Sequence, residues 1–343
     1  MSKPKYRYDK STTKRFFYWI KERYSIHNKR HVLGEPAPWT TDMVLQTQFF
    51  TNPFREDDKV TRWFRDNIRG PLADDDDVLF ATLLFRWFNS IPTGEAILAL
   101  AEELYPHGDP VILFTPEGFL DTASDILDML DARQAAGERL FGGAYIIKLA
   151  NGVRKHHSVL NTLSDLLTRT GYEVLQERLW NSPTLEEGHS YLCQLPYIGP
   201  FMAYEALTDL RHTCYFREAP DIRTWANPGP GAFRGLRRLL GLPVEKRQDK
   251  SVPGGKKAAI EMMRGLLKMA PEFLTIATDR QMKTYETDRV RFAKNYGAPK
   301  NVQPTLPQLE MRDIEHSLCE FDKYERARTG VGGKMKRKFT KGT

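Results

Sequence analysis

Apolar residues in this chain recur three and four positions apart, block after block, and that spacing removes most folds from consideration. Val60, Trp63, Phe64 and Ile68 share one helical face, and Phe16, Trp19, Ile20 and Arg23 open an earlier helix. Further stripes are Leu79, Leu83, Leu84 and Trp87, then Ile97, Leu100 and Leu104, then Ile126, Met129 and Leu130. Asp121, Asp125, Asp128 and Asp131 occupy the wet side of the last of these. Leu160, Leu163, Leu166 and Leu167 form another stripe, and Met262, Met263, Leu266 and Leu267 a late one. No strand–helix–strand alternation appears, which excludes a Rossmann-type sheet. Two short apolar runs, VILF at 111–114 and AYIIKL at 144–149, read as buried helix or extended connector. There is no fixed-period repeat. The expected class is all-α.

The 343 residues suffice for one large domain or two helical lobes, and 41% apolar content is enough for a core. Lys and Arg outnumber Asp and Glu by 51 to 44, and a net charge of +7 suits a polyanionic partner. Cys193, Cys214 and Cys319 are far apart and lack CxxC spacing, which argues against a disulfide framework or a structural zinc. The start lacks an apolar signal region and no stretch is long enough to span a bilayer, so a soluble intracellular protein with no membrane partner is expected. Residues 1–13 read as a basic arm, 14–328 as the helical catalytic domain and 329–343 as a basic flexible tail. Loops are expected at 34–39, 71–77, 226–232 and 247–257, the last a surface insertion near a lobe boundary. Asp74 to Asp77 read as a solvated helix cap.

Several chemistries lack their motifs. SVPGGKKAA and GVGGKMK lack the spacing and the preceding strand of a phosphate-binding P-loop, and neither HExxH nor GxSxG occurs. His156 and His157 adjoin, and two successive His rarely face one metal. The expected site therefore has no metal of its own.

Residues 182–241 carry more information. Thr184 and Glu187 have capping-box spacing, and Pro200 can open a second helix without losing a hydrogen bond. The two helices, joined by LPYIGP within 184–211, resemble a helix-hairpin-helix element. In such an element Gly199 lets the backbone approach a phosphate, and the N–H groups opening the second helix face that anion. Asp221 lies 22 residues beyond Gly199, near the spacing of the catalytic Asp in helix-hairpin-helix DNA glycosylases; an N-cap is the plain alternative. Phe201 stands where lyase-active members carry Lys, which disfavours an imine-forming reaction.

Further blocks sharpen the resemblance: PWTTDMVLQTQFFTNPFREDDKVTRW at 38–63, FGGAYIIK at 141–148, WANPGPGAFRGL and IEHSLCEFDKYERAR at 314–328. With LPYIGPFMAYEALTDL they resemble proteins of phage thymine hypermodification. That group contains the amino acid:DNA transferases (α-glutamyl/putrescinyl thymine pyrophosphorylases) and the helical domain attached to 5-hydroxymethyluracil DNA kinases. The resemblance implies a two-lobed, DNA-glycosylase-like helical fold. It also implies transfer of an amino acid or polyamine onto pyrophosphorylated 5-hydroxymethyluracil in DNA, in the cytoplasm of an infected bacterium, with release of pyrophosphate.

The partners implied are double-stranded DNA containing modified thymine and a small amine donor. No bound cofactor is implied, and Mg²⁺ travelling with the pyrophosphate stays open. The target base is expected to leave the stack. Tyr197, Gly199, Phe201, Tyr204 and Trp225 are then DNA-contact candidates. Arg55, Lys323 and Arg326 would clamp pyrophosphate, Glu320 and Asp322 would hold the amino group or Mg²⁺, and Asn52 and Asn89 would face the uracil edge. Asp221, then Asp209, are the candidate bases, and Cys319 reads as buried filler. A glycosylase acting on a modified base and a non-catalytic DNA-binding partner of a kinase are the rival readings.

Overall fold

Fifteen α-helices, six short 3-10 or π-helical segments and one pair of two-residue strands make up the regular structure of the described residues in this computed structural model. Those residues are 6–143, 152–169, 171–244, 251–299 and 303–332. In chain order the helices are α1 (Lys10–His27), α2 (Met43–Thr47), α3 (Lys59–Phe64), α4 (Val78–Phe88) and α5 (Ile91–Leu104). Next come α6 (Pro116–Ala135), α7 (Lys155–Thr168), α8 (Tyr172–Trp180), α9 (Leu185–Leu192) and α10 (Pro200–Leu210). The last five are α11 (Pro230–Leu239), α12 (Gly255–Met269), α13 (Asp279–Thr287), α14 (Arg289–Phe292) and α15 (Met311–Thr329). The strands β1 (Thr275–Ile276) and β2 (Thr305–Leu306) pair in parallel. No helix among the described residues is long and apolar enough to cross a membrane.

The chain divides into two compact units: Met1–Asp58 with Ile222–Thr343, and the intervening Lys59–Asp221. Each apolar stripe read from the sequence lies on a helix. The run at 111–114 forms a short 3-10 turn, Ile112–Phe114, with Leu113 and Phe114 buried; 144–149 lies outside the described residues.

In the inserted unit, every residue of α4 is buried. A helix apolar on all sides belongs in an interior, yet this one carries Arg86. Its guanidinium grips the carboxylate of Asp209, on α10, through two bonds: Nε to Oδ2 at 2.6 Å and Nη2 to Oδ1 at 2.7 Å. Arg69 donates to the same carboxylate at 3.1 Å, and Arg86 also donates to Thr61 Oγ1 and Asn89 Oδ1. Asn89 adopts a left-handed conformation with φ 46° and ends α4, a place where Asn is tolerated because its short side chain bonds locally. Ser90 then caps α5 through Thr93 N–H.

In the other unit, α15 is the spine. Met311, Ile314, Leu318, Phe321 and Tyr324 are buried, and α15 packs against α1, α2, α11 and α12. Gly235 on α11 permits the closest approach, since an added Cβ would lie 2.3 Å from the Leu318 carbonyl oxygen. The described part of the basic arm, from Tyr6 onward, makes long-range bonds. Tyr6 donates to Glu261, Tyr8 to the Met262 carbonyl, and the Asp9 N–H to Leu239, so backbone and hydroxyl donors find partners on α11 and α12. The basic tail is likewise held at Val331 and Gly332, whose carbonyls accept from Arg238 and Arg234. The loop at 226–232 ends inside α11, which begins at Pro230. The loop at 247–257 gives way to α12 at Gly255, with Val252 buried.

The Arg86–Asp209 pair predicts a large stability effect. Asp209→Ala leaves two buried guanidinium groups uncompensated and is expected to cost about 3–5 kcal/mol of unfolding free energy. The urea midpoint measures it, and a loss below about 1 kcal/mol, as for a surface pair, would refute it.

Candidate functional site

Residues 48–58 cross α15, and there the two unlike blocks of sequence at 38–63 and 314–328 meet. The Thr51 N–H donates to Glu320 Oε2 at 3.1 Å, and Thr51 Oγ1 lies 2.8 Å from His316 Nε2. Asn52 closes the turn: its N–H donates to Asp58 Oδ1, and its Oδ1 accepts from the Phe54 N–H. This local Asx turn suits a loop that starts at Asn and passes through Pro53. Arg23 arrives from α1 and donates Nε to the Phe50 carbonyl at 3.1 Å. His316 Nε2 lies 4.0 Å from Asp58 Oδ2, and Lys323 Nζ lies 2.5 Å from Glu320 Oε1. Arg55 and Arg23 both act electrostatically on Asp58, and Glu320 acts on Arg23.

The result is a half-enclosed cluster of Arg23, Arg55, His316 and Lys323 around Asp58 and Glu320. Burial pushes the Asp58 carboxyl above its ordinary range, while His316, the Asn52 N–H, Arg55 and Arg23 pull the other way. Such a carboxylate holds a proton more tightly than a solvated one, as a general base should. Two enclosed donors, Asn52 Nδ2 and Arg23 Nη1, have no hydrogen-bond acceptor among the described residues. An enclosed donor without an acceptor costs about 1–3 kcal/mol, and an anionic or carbonyl-bearing ligand would relieve that cost. Guanidinium and ammonium groups at this density suit phosphate oxygens. A metal would have Asp58, Glu320 and His316 to choose from, but cations already stand beside each carboxylate.

Of the residues expected to handle substrate, Asn52, Arg55, Glu320 and Lys323 fall in this cluster. Asp322 and Arg326 share α15 with it but serve another purpose. Asp322 receives Arg234 at 3.1 Å, Arg238 at 2.7 Å and Arg326 at 3.1 Å, a packing clasp between α15 and α11. Asn89, expected at the uracil edge, is buried where it ends α4, and its Oδ1 accepts from Arg86. Asp209, expected as a second base, is enclosed at 0% exposure between two guanidinium groups, where no amine can approach its oxygens. Cys319 is partly exposed; burial pushes its thiol up, and its Sγ packs against Gly231.

The hairpin consists of α9 and α10 joined through Cys193–Gly199. Thr184 caps α9 by accepting the Glu187 N–H, but the return bond of a capping box is replaced: the Glu187 side chain accepts from the Tyr191 hydroxyl. The Asp221 carboxylate accepts the N–H groups of Leu185 and Glu186 at 2.8 and 3.0 Å. Asp221 therefore caps a helix that begins 36 residues before it, and both its oxygens are engaged. His189 Nε2, 2.9 Å from the Pro200 carbonyl, pins the two helices together. Tyr197 (φ 60°, 49% exposed) and Phe201 (51% exposed) stand out from the turn, and open space surrounds the Gly199 Cα. Tyr204 and Trp225, expected at a DNA surface, are instead buried, because each falls on the inner face of its segment.

Arg23, Thr51, Asp58 and His316 were not singled out from the sequence as site residues. The available signal for Arg23 was a charge on the apolar stripe of α1. The others lay inside the two matching blocks. The raised Asp58 carboxyl carries a pH signature. The folded chain binds this proton more tightly than the unfolded one, whose Asp value is about 3.9. The stabilisation is complete below about pH 4 and is lost as the pH rises through the folded value. Asp58→Asn removes that loss, so urea midpoints recorded across this range should fall less steeply with pH than wild type. Identical slopes would mean that burial does not raise the group.

Comparison with known proteins places the chain. Residues 10–332 match the family described as the helical domain of 5-hmdU DNA kinase. A 5-hmdU DNA kinase of Bacillus phage SP10 is 26% identical over 240 residues, which cover 64% of this chain and 35% of the relative. The match thus spans about a third of that curated protein's length. No solved structure matches. With a family match running through almost all of the described helices, the chain belongs to the helical-domain family of 5-hmdU DNA kinases.

Proposed function

We propose that this protein is a DNA-base hypermodification enzyme. In this reading it joins an amine, from an amino acid or polyamine, to pyrophosphorylated 5-hydroxymethyluracil in phage DNA. The observation that carries the proposal is the cluster of Arg23 and Arg55 beside Asp58, with Lys323 on Glu320, built from α1 and the blocks at 38–63 and 314–328. The reaction makes a C–N bond at the base methylene as the C–O bond to pyrophosphate breaks. The cations take up the charge leaving with pyrophosphate. The attacking nitrogen must give up a proton, and Asp58 is the acceptor its environment equips best. Asp58 replaces Asp221 and Asp209 in that part, since both of those carboxylates are spent on backbone and guanidinium donors.

DNA is engaged through the hairpin of the inserted unit. Tyr197 and Phe201 present aromatic faces for an unstacked base or a duplex wedge, and the N–H groups that open α10 suit a phosphate. The net charge of +7 favours the same partner. A second reading, a non-catalytic DNA-holding partner of a kinase, draws support from the family's description as one domain of a larger enzyme.

Nucleoside mass spectrometry separates the two. The protein is incubated with DNA carrying pyrophosphorylated 5-hydroxymethyluracil, Mg²⁺ and a mixture of amino acids and polyamines. A nucleoside heavier by one amine is expected, with the rate lowered about 10²–10⁴-fold in Asp58→Asn and largely kept in Asp221→Ala. An unchanged nucleoside with DNA binding intact would favour the partner reading. In fluorescence anisotropy with duplex DNA, Tyr197→Ala and Phe201→Ala should each weaken binding by roughly 1–3 kcal/mol. Unaltered affinity in both would remove the hairpin from the DNA interface.

A further inference from the structure

In the inserted unit, α6 and α7 bring two imidazoles onto one carboxylate. His156 Nε2 lies 2.6 Å from Asp131 Oδ1, and His157 Nε2 lies 3.0 Å from the same oxygen and 3.1 Å from Oδ2. The three ligand-type atoms all lie within 4.8 Å of one another. Consecutive helical residues normally point about 100° apart, which is why adjacent His are poor candidates for one metal. Here they occupy the first turn of α7, and their rings lean together with centroids 4.7 Å apart. The same nitrogen of each ring converges on one point.

A second observation concerns His156 alone. Its side chain is fully enclosed, and Nδ1 has no hydrogen-bond partner among the described residues. The ring is aimed by packing, with only Nε2 engaged. His157 and Asp131 keep 23% and 28% exposure, leaving an open side for a water or another ligand. Arg154 occupies part of that side, with Nη1 2.7 Å from Asp131 Oδ1, but its side chain is 58% exposed and can swing into solvent.

We propose that Asp131, His156 and His157 form a binding site for a divalent transition metal of the zinc type. Two imidazoles and a carboxylate match that ion's donor preference, with the remaining position left to water. Zinc–ligand bonds of about 2.0–2.2 Å place tetrahedral ligands roughly 3.3 Å apart, so a small opening of the present trio admits the ion. A bound metal would take the place of the two imidazole–carboxylate hydrogen bonds, and each ring would then carry its proton on Nδ1. For His156 that proton would be enclosed without an acceptor, so binding should be weaker than at a four-ligand structural zinc site. The site is independent of the proposed transfer reaction.

The test uses the full-length protein, with ZnCl2 followed by calorimetry and CoCl2 followed by visible absorption. Wild type should bind one equivalent, develop the ligand-field bands of low-coordinate cobalt and melt at a higher temperature with zinc. His157→Ala, on the exposed side where the fold tolerates it, should lose at least about tenfold in affinity along with those bands. Arg154→Ala should bind at least as tightly as wild type, because it frees the carboxylate. Equal binding by wild type and His157→Ala would place the metal elsewhere and overturn the proposal, as would a wild type that takes up no zinc at micromolar concentrations.

Discussion

A charge removed from water must be met by another, and the inserted unit is organised around one such meeting. Arg86 sits on a helix buried on every side, so its guanidinium has nowhere to go but inward, and Asp209 on α10 is placed to receive it in two-bond register. That bond sets the register of α10 against α4. The remaining donors of Arg86 then reach Thr61 and the terminal Asn89, so one side chain connects α3, α4 and α10. Replacing such a pair with apolar groups can be neutral, but removing one partner is costly. The specificity lies in the geometry of the bonds.

The same constraint is handled differently along α15. Facing α11, Asp322 is saturated by three arginines, and Glu325 is met by Arg15 of α1 and by Arg328, as expected of buried carboxylates in a scaffold. On the side facing residues 48–58 the accounts stay open. Partial burial raises the Asp58 carboxyl, His316 stands 4.0 Å from it, and donors on Asn52 and Arg23 lack acceptors among the described residues. Glu320 and His316 on α15 are engaged by Thr51 and Lys323, and the open donors belong to Asn52 and Arg23 rather than to the helix. Enclosed donors left open are destabilising unless something binds there.

Helical class was legible because a 3.6-residue stripe needs only local sequence, and α1, α3–α7 and α12 follow it. Contacts between distant segments were not legible. Asp221 was visible as a carboxylate at a suggestive distance from Gly199, but its use as a cap for α9 depends on a fold-back that spacing does not report. Tyr204 and Trp225 have the composition of a DNA surface and the burial of a core, and an aromatic side chain looks the same in either place. Asn52, Arg55, Glu320 and Lys323, which the structure brings together, were named through whole blocks of sequence. Arg23, His316 and Asp58 escaped because each is unremarkable until α1, the turn and α15 are laid together. His156 and His157 were set aside because consecutive helical side chains diverge by about 100°, whereas both rings of this pair turn onto Asp131.

The cap that Asp221 supplies has a consequence for modularity. Residues 184–211 look like a self-contained cassette, yet the first two N–H groups of α9 are satisfied from outside it, by the last residue of the inserted unit. Grafted onto another scaffold, the cassette would arrive with those donors bare and its first turn prone to fraying. A transplantable version of this hairpin extends to Asp221, and its natural boundary is the point where the chain leaves one unit for the other.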